Sequence, residues 1–143
     1  MSFRNPDPAA IEALLRQART IAVVGLSADP SRPSHAVSRS MQRFGYRVIP
    51  INPTEKMILG ERCVATLADA VSTLQAGERV DIVDVFRRPD HVASVADDCI
   101  RLHLPALWLQ DGVIDEAAAM RAQAAGILTI MDRCIYRDRA LFS

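Results

Sequence analysis

Residues 25–35 read GLSADPSRPSH and follow the apolar run TIAVV. Gly25 lets a backbone approach an anion closely, Ser27 and Ser34 offer hydroxyl donors, and Arg32 offers a guanidinium. A helix starting at Pro33 would point its positive end into the loop. A diphosphate suits that field. The loop lacks the second and third glycines of G-x-G-x-x-G and the GK[ST] ending of a P-loop, which counts against both of those nucleotide motifs. Ser27 and Ser34 also have a plainer reading as turn and N-cap residues, and Arg32 as a solvated cation.

A second stretch bears on the same ligand. An NAD site usually carries an acid about 20 residues after the glycine loop, to hold the ribose hydroxyls. Here the chain reads Ile51-Asn52-Pro53-Thr54, with Lys56 shortly after. A neutral amide and a nearby cation suit an additional phosphate on the ribose. The residues therefore point to a ligand with a diphosphate and a ribose phosphate, NADP or coenzyme A, without separating the two.

These residues need a frame. Five apolar runs rich in β-branched residues read as strands: 20–26, 47–52, 80–86, 105–110 and 127–132. Between them lie SHAVSRSMQRFG, TLADAVSTL, PDHVASVADDCIRLH and DEAAAMRAQAAG, which have helical spacing. In the first of these, Val37, Met41 and Phe44 form one stripe for a sheet. Strands apolar on both faces, alternating with helices, predict a doubly wound, mainly parallel five-stranded α/β sheet of Rossmann type with helices on both faces. Asp7 reads as the N-cap of an N-terminal helix against the sheet edge, and Gly45 and Gly126 as helix C-termini. Residues 57–66 read as a small irregular excursion.

In such a sheet ligands bind beyond the carboxyl ends of the strands. Those ends carry Gly25-Leu26-Ser27, Asn52-Pro53, Phe86-Arg87-Arg88, Gln110-Asp111-Gly112 and Asp132-Arg133-Cys134. Polar, glycine and cationic residues thus gather along one rim.

The 143 residues suit one domain, read as an N-terminal helix over 1–19, a core over 20–132 and a C-terminal segment over 133–143. With 17 basic and 17 acidic residues the chain has no net field for nucleic acid or an anionic membrane. No apolar run is long enough to span a bilayer, and the first residues do not read as a signal peptide, so a cytoplasmic protein is expected. Three cysteines without CxxC or zinc-ligand spacing argue for free thiols and no metal.

The ordered set VGLS, RPS, INP, VDVFRR, WLQDG and MDRC resembles the single-domain coenzyme A-binding proteins, whose Rossmann-like fold is similar to the coenzyme A-binding domain of the succinyl-CoA synthetase alpha subunit. The likeness runs from about residue 15 to residue 136. It implies that Gly25, Leu26, Ser27, Arg32, Pro33 and Ser34 cradle the diphosphate, while Asn52, Pro53 and Lys56 flank the adenosine and its 3′-phosphate. It further implies that Val85, Phe86, Arg87 and Arg88 line the next segment, and that Gln110 and Gly112 face the pantetheine arm. The expected ligand is coenzyme A or a short acyl derivative, bound without catalysis by a monomer or homodimer in a regulatory or carrier role. Two other readings stand beside it: an NAD(P)-binding regulatory protein, and the coenzyme A-binding component of a multi-chain acyl-CoA ligase.

Other residues that carry chemistry have plainer readings. His35, His91 and His103 are scattered, with no nucleophile and orienter to complete a triad. Asp84, inside an apolar strand, is expected to pair with a neighbouring arginine or backbone donor. Trp108 reads as core and Phe86 as either core or ligand wall. Cys134 reads first as an idle thiol; on the ligand rim it could instead join the coenzyme A thiol, with Arg133 lowering its pKa. Ile135, Tyr136, Leu141 and Phe142 need cover, from the domain itself or a twin chain.

Overall fold

The computed structural model describes residues 2–142. Five strands, β1 (Thr20–Val24), β2 (Arg47–Ile51), β5 (Ile82–Val85), β6 (Ala106–Leu109) and β7 (Leu128–Ile130), form one all-parallel sheet in the order β2-β1-β5-β6-β7. All are β-branched or leucine-rich and buried over nearly their whole length, as strands covered on both faces must be. Two short strands, β3 (Met57–Ile58) and β4 (Glu61–Arg62), pair antiparallel. The stretch read as an irregular excursion is thus a hairpin. Leu59 (φ 54°) and Gly60 (φ 77°) are both left-handed there, as a tight two-residue turn requires.

Helices α3 (Leu67–Ser72), α4 (Val92–Arg101) and α5 (Glu116–Ala124) cover one face. Leu67, Val95, Cys99 and Ala119 there meet Ala22, Val24, Ile49, Val83 and Leu107 of the strands. Helices α1 (Pro8–Gln17), α2 (Pro33–Arg43) and α6 (Ile135–Arg139) cover the other. Ile11, Leu15, Met41 and Ile135 pack on Ile21, Val23, Ile82, Trp108 and Ile130. The crossover from β1 to β2 uses α2, and the chain then reverses across the sheet with its helices on the opposite face. One handedness of crossover demands that change of face. The strand order therefore reverses between β1 and β5, which is where a doubly wound sheet opens a crevice.

Local signals hold at several ends. The Asp7 carboxylate accepts the Ala10 amide at 3.0 Å, so α1 is capped as its sequence implies. Gly45 and Gly126 have φ of 106° and 91° and turn the chain out of α2 and α5. The stripe on α2 divides: Met41 is buried, Val37 is half-buried and Phe44, at the helix end, is 37% exposed and stacks on Tyr136. In the C-terminal segment Ile135 is fully buried and Phe142 half-buried, while Tyr136 and Leu141 are exposed.

Asp84 departs from its expected pairing. It lies on β5 between Val23 and Trp108, is 1% exposed, and its Oδ1 has no partner among the described residues. Central strands place apolar side chains on both sides of it, and no arginine reaches that depth. Burial pushes its pKa well above the ordinary carboxylate value, holding it toward the neutral acid.

Candidate functional site

Parallel backbone bonds continue past the strand ends and hold the rim residues in a row. Gly25 N–H donates to Ile51 O (3.3 Å), Phe86 N–H to Val24 O (2.9 Å), Gln110 N–H to Val85 O (3.3 Å) and Arg133 N–H to Leu109 O (3.4 Å). Above the reversal point these loops enclose a cleft of about 690 Å³. That volume suits a cofactor-sized ligand.

The β1 loop forms one wall. Ser34 Oγ accepts the Ser27 amide at 3.0 Å, and Ser27 Oγ accepts the Asp29 amide at 3.0 Å, so both serines fold the loop back on the start of α2. The turn and ligand readings of these serines are compatible, because each lines the cleft while shaping the loop. Asp29 accepts both the amide (2.9 Å) and the hydroxyl (2.8 Å) of Ser31, and the backbone bond chiefly holds its carboxyl below the usual range. Arg32 stands 4.0 Å from Asp29 with its side chain 70% exposed, which leaves the guanidinium available to an anion. Pro33 opens α2 and has no N–H of its own; His35 and Ala36 donate to Arg32 O at 3.1 and 3.2 Å, which leaves the Ser34 amide as the first-turn donor without a backbone acceptor among the described residues.

The β5 loop forms the facing wall with Phe86, Arg87 and Arg88. Neither arginine makes an ion pair among the described residues. Phe86 is half-buried, packing on the core below and lining the cleft above. Beyond it, Gly112 (φ 76°) donates its N–H to Asp132 at 2.8 Å, and Gln110 receives the Ile135 amide at 3.0 Å. These bonds tie the β6 and β7 rims together.

Ten residues singled out from sequence thus meet in one cleft: Gly25, Ser27, Arg32, Pro33, Ser34, Phe86, Arg87, Arg88, Gln110 and Gly112. The other five lie outside its lining. Leu26 and Val85 are fully buried core side chains. Asn52 has structural bonds: its amide donates to Leu26 O (3.0 Å) and its Oδ1 accepts from Thr54 and Glu55. Pro53 and Lys56 are exposed at the end of β2. Sequence reasoning did not assign Val37, Asp111 and Val113 to the lining, and Cys134 lines it despite its idle reading. Val37 is one turn after Ser34, so helical spacing alone would have placed the two on one face.

Arg133 pairs with Asp138. Its guanidinium is bidentate to Asp138 at 2.8 and 2.7 Å, which raises the arginine pKa and spends its charge on that partner. A smaller concavity of about 480 Å³ opens at the opposite end of the strands. There the Arg139 guanidinium sits 4.4 Å from the Phe44 ring centre and 4.5 Å from that of Phe142.

Among the described residues no group of three or more His, Cys, Asp or Glu is placed to hold a metal ion, and no helix is long and apolar enough to cross a membrane.

A parallel sheet with this order, with the β1 loop at its reversal point and unpaired arginines opposite, defines an α/β domain of Rossmann type. The comparisons narrow the class: the CoA binding domain family matches residues 19–139, and the chain belongs to that family. It is 39% identical over 133 residues to the uncharacterized protein YneT of Bacillus subtilis (strain 168), covering 93% of this chain and 94% of that one. The solved structure of cell-free ID.343 from Thermus thermophilus is 37% identical with a TM-score of 0.85, covering 95% of this chain and 98% of the other. The dinucleotide forming acetyl-coenzyme A synthetase 1 of Ca. Korarchaeum cryptofilum, in its apo form, is 25% identical with a TM-score of 0.64. That match covers 81% of this chain and 27% of the synthetase. Family membership supports coenzyme A as the class of ligand.

Proposed function

We propose that this protein binds coenzyme A or a short acyl derivative in the cleft between the β1 and β5 loops, and does no chemistry on its acyl group. One observation carries the reading: the cleft joins a helix-start anion loop, three arginines and an apolar wall. Arg32, Arg87 and Arg88 supply charge for the phosphates, while Val37, Phe86 and Val113 supply an apolar surface for the pantetheine arm. The donor set fits such a ligand in kind. No histidine lines the cleft among the described residues, and its acid, Asp111, is paired with Arg137. That pattern favours holding a ligand, in a regulatory or carrier role, over turning it over.

The test is a titration of the purified protein with coenzyme A, acetyl-CoA, NAD, NADP and ATP, followed by thermal unfolding. A ligand at a hundred times its dissociation constant adds about 2.7 kcal/mol to stability. Coenzyme A species are expected to give the largest shift. A clear shift with NADP and none with any coenzyme A species would overturn the reading.

The match to about a quarter of the acetyl-coenzyme A synthetase favours a second reading, in which the chain serves as the coenzyme A-binding part of a multi-chain ligase. Co-purification of a nucleotide-dependent partner chain, and acyl-CoA formation by the pair, would support it over the first.

A further inference from the structure

We propose that Cys134 is a thiol–disulfide exchange site that captures coenzyme A as a mixed disulfide within the cleft. The proposal rests on the coenzyme A reading above and adds a covalent step to it. Cys134 is half-buried and lines the cleft. It follows β7, while the anion loop follows β1, and β5 and β6 lie between. At about 4.8 Å per strand these two rims stand about 14 Å apart, so a ligand touching both must be long and thin. A phosphate-bearing head on a flexible arm that ends in a thiol has that shape.

Gln110 supplies an independent sign of a ligand at the same end. Its side chain is nearly enclosed, with 3% of the residue exposed, and its Oε1 is taken by the Ile135 amide. Gln110 also lines the cleft, and its NH2 group donates to no protein atom among the described residues. A nearly buried amide donor left open wants an acceptor from outside, and the pantetheine arm carries two amide carbonyls. The same Gln110 bond holds the backbone immediately after Cys134, and both residues line the cleft.

The step balances without a metal or a further oxidant. The thiolate of Cys134 attacks one sulfur of a coenzyme A disulfide and forms a new S–S bond, the original S–S bond breaks, and the departing thiolate takes up the proton that Cys134 released. The disulfide is reduced by the amount the cysteine is oxidised. Selectivity comes from docking of the ligand in the cleft that Cys134 lines. The other cysteines are poorer candidates. Cys63 lies outside the cleft lining, with a thiol pushed up chiefly by burial, and Cys99 is buried and pushed up to about 12 by burial.

The experiment exposes the reduced protein to coenzyme A disulfide or to glutathione disulfide, follows intact mass with time, and maps the adduct by peptide mass spectrometry. A parallel thermal titration with coenzyme A under excess reductant reads reversible binding alone. The expected result is a thermal shift, an adduct on Cys134, and capture at least about tenfold faster from coenzyme A disulfide than from glutathione disulfide, because docking holds the sulfurs together. Cys134→Ser should abolish capture and Cys63→Ser should leave its rate unchanged. A thermal shift with no adduct, an adduct on another cysteine, or equal rates from the two disulfides would overturn this inference and leave the binding reading standing. No shift under reductant would overturn both.

Discussion

Gly25 and Phe86 approach so closely across the reversal point that no side chain fits between them. A Cβ on Gly25 would collide with the Phe86 carbonyl oxygen and stand 2.8 Å from Cδ of Arg87. The glycine is also held at φ 87°, where side chains are strained. The two loops that face the ligand are thus set against each other by the absence of one carbon. Gly25→Ala should destabilise the fold by about 1–3 kcal/mol from backbone strain alone. It should also displace Arg87 and weaken coenzyme A binding. Chemical denaturation together with a binding titration checks both effects, and a variant of native stability and affinity would remove Gly25 from this role.

Arg32 tests the charge side of the cleft. Its side chain is largely exposed and has only a distant partner in Asp29, so little of the fold depends on it. Arg32→Ala should weaken coenzyme A by about 1.5–3 kcal/mol, the scale of a hydrogen bond to a charged group. The deficit should narrow as salt rises and screens the exposed cation. Calorimetric titration at two ionic strengths reads both. An affinity that does not move would take Arg32 out of the site.

Asp84 makes a prediction about pH. Burial raises its folded-state pKa, so the folded protein holds this proton where the unfolded chain has released it. Its contribution is fully present below the unfolded value near 3.9 and is lost as pH rises toward the folded pKa, at about 1.4 kcal/mol per pH unit. Asp84→Asn cannot ionise and should lack that slope. Stability measured from pH 4 to pH 7 should therefore fall less steeply, or rise more, in the variant than in the wild type. Parallel curves would show that Asp84 finds a partner that keeps it charged.

The fate of particular residues shows what could be read before folding. The five strands, the helices between them and the rim at the strand ends were legible because apolar periodicity and glycine placement are local. Strand order was not, since nothing in TIAVV or VDIVDVF says that the two lie side by side. The cleft followed from that adjacency, which is why the β1 loop and Phe86-Arg87-Arg88 proved to be facing walls. Asp84 lacks its expected pairing, and Arg133 takes a partner the local sequence does not announce, because the partner of a charged side chain is decided by packing. Arg133 found Asp138 five residues on, in α6, and Asp84 found no partner among Val23 and Trp108. Asn52, which the resemblance sets beside the adenosine, has a structural part that the sequence did not announce, since its hydrogen bonds close the turn after β2.

Trp108 and Gln110 sit two residues apart in the β6 segment, so their side chains leave the same face of the sheet. Trp108 Nε1 donates to Arg133 O at 2.8 Å, and Gln110 Oε1 accepts from Ile135 N–H at 3.0 Å. The pair clamps residues 133–135 by backbone atoms alone, and Cys134 lies between the two clamped positions. Gln110→Ala leaves the amide of Ile135, a fully buried residue, without its partner. That should cost about 1–3 kcal/mol. Trp108→Phe keeps most of the ring and frees only the Arg133 carbonyl, so a loss of about 1 kcal/mol is expected from the hydrogen bond, with a further packing term. In both variants hydrogen exchange should quicken at Ile135 and the start of α6 while the amides of β1 and β2 stay protected. Uniform loss of protection across the sheet would mean that the two side chains support the whole core rather than the segment that carries Cys134.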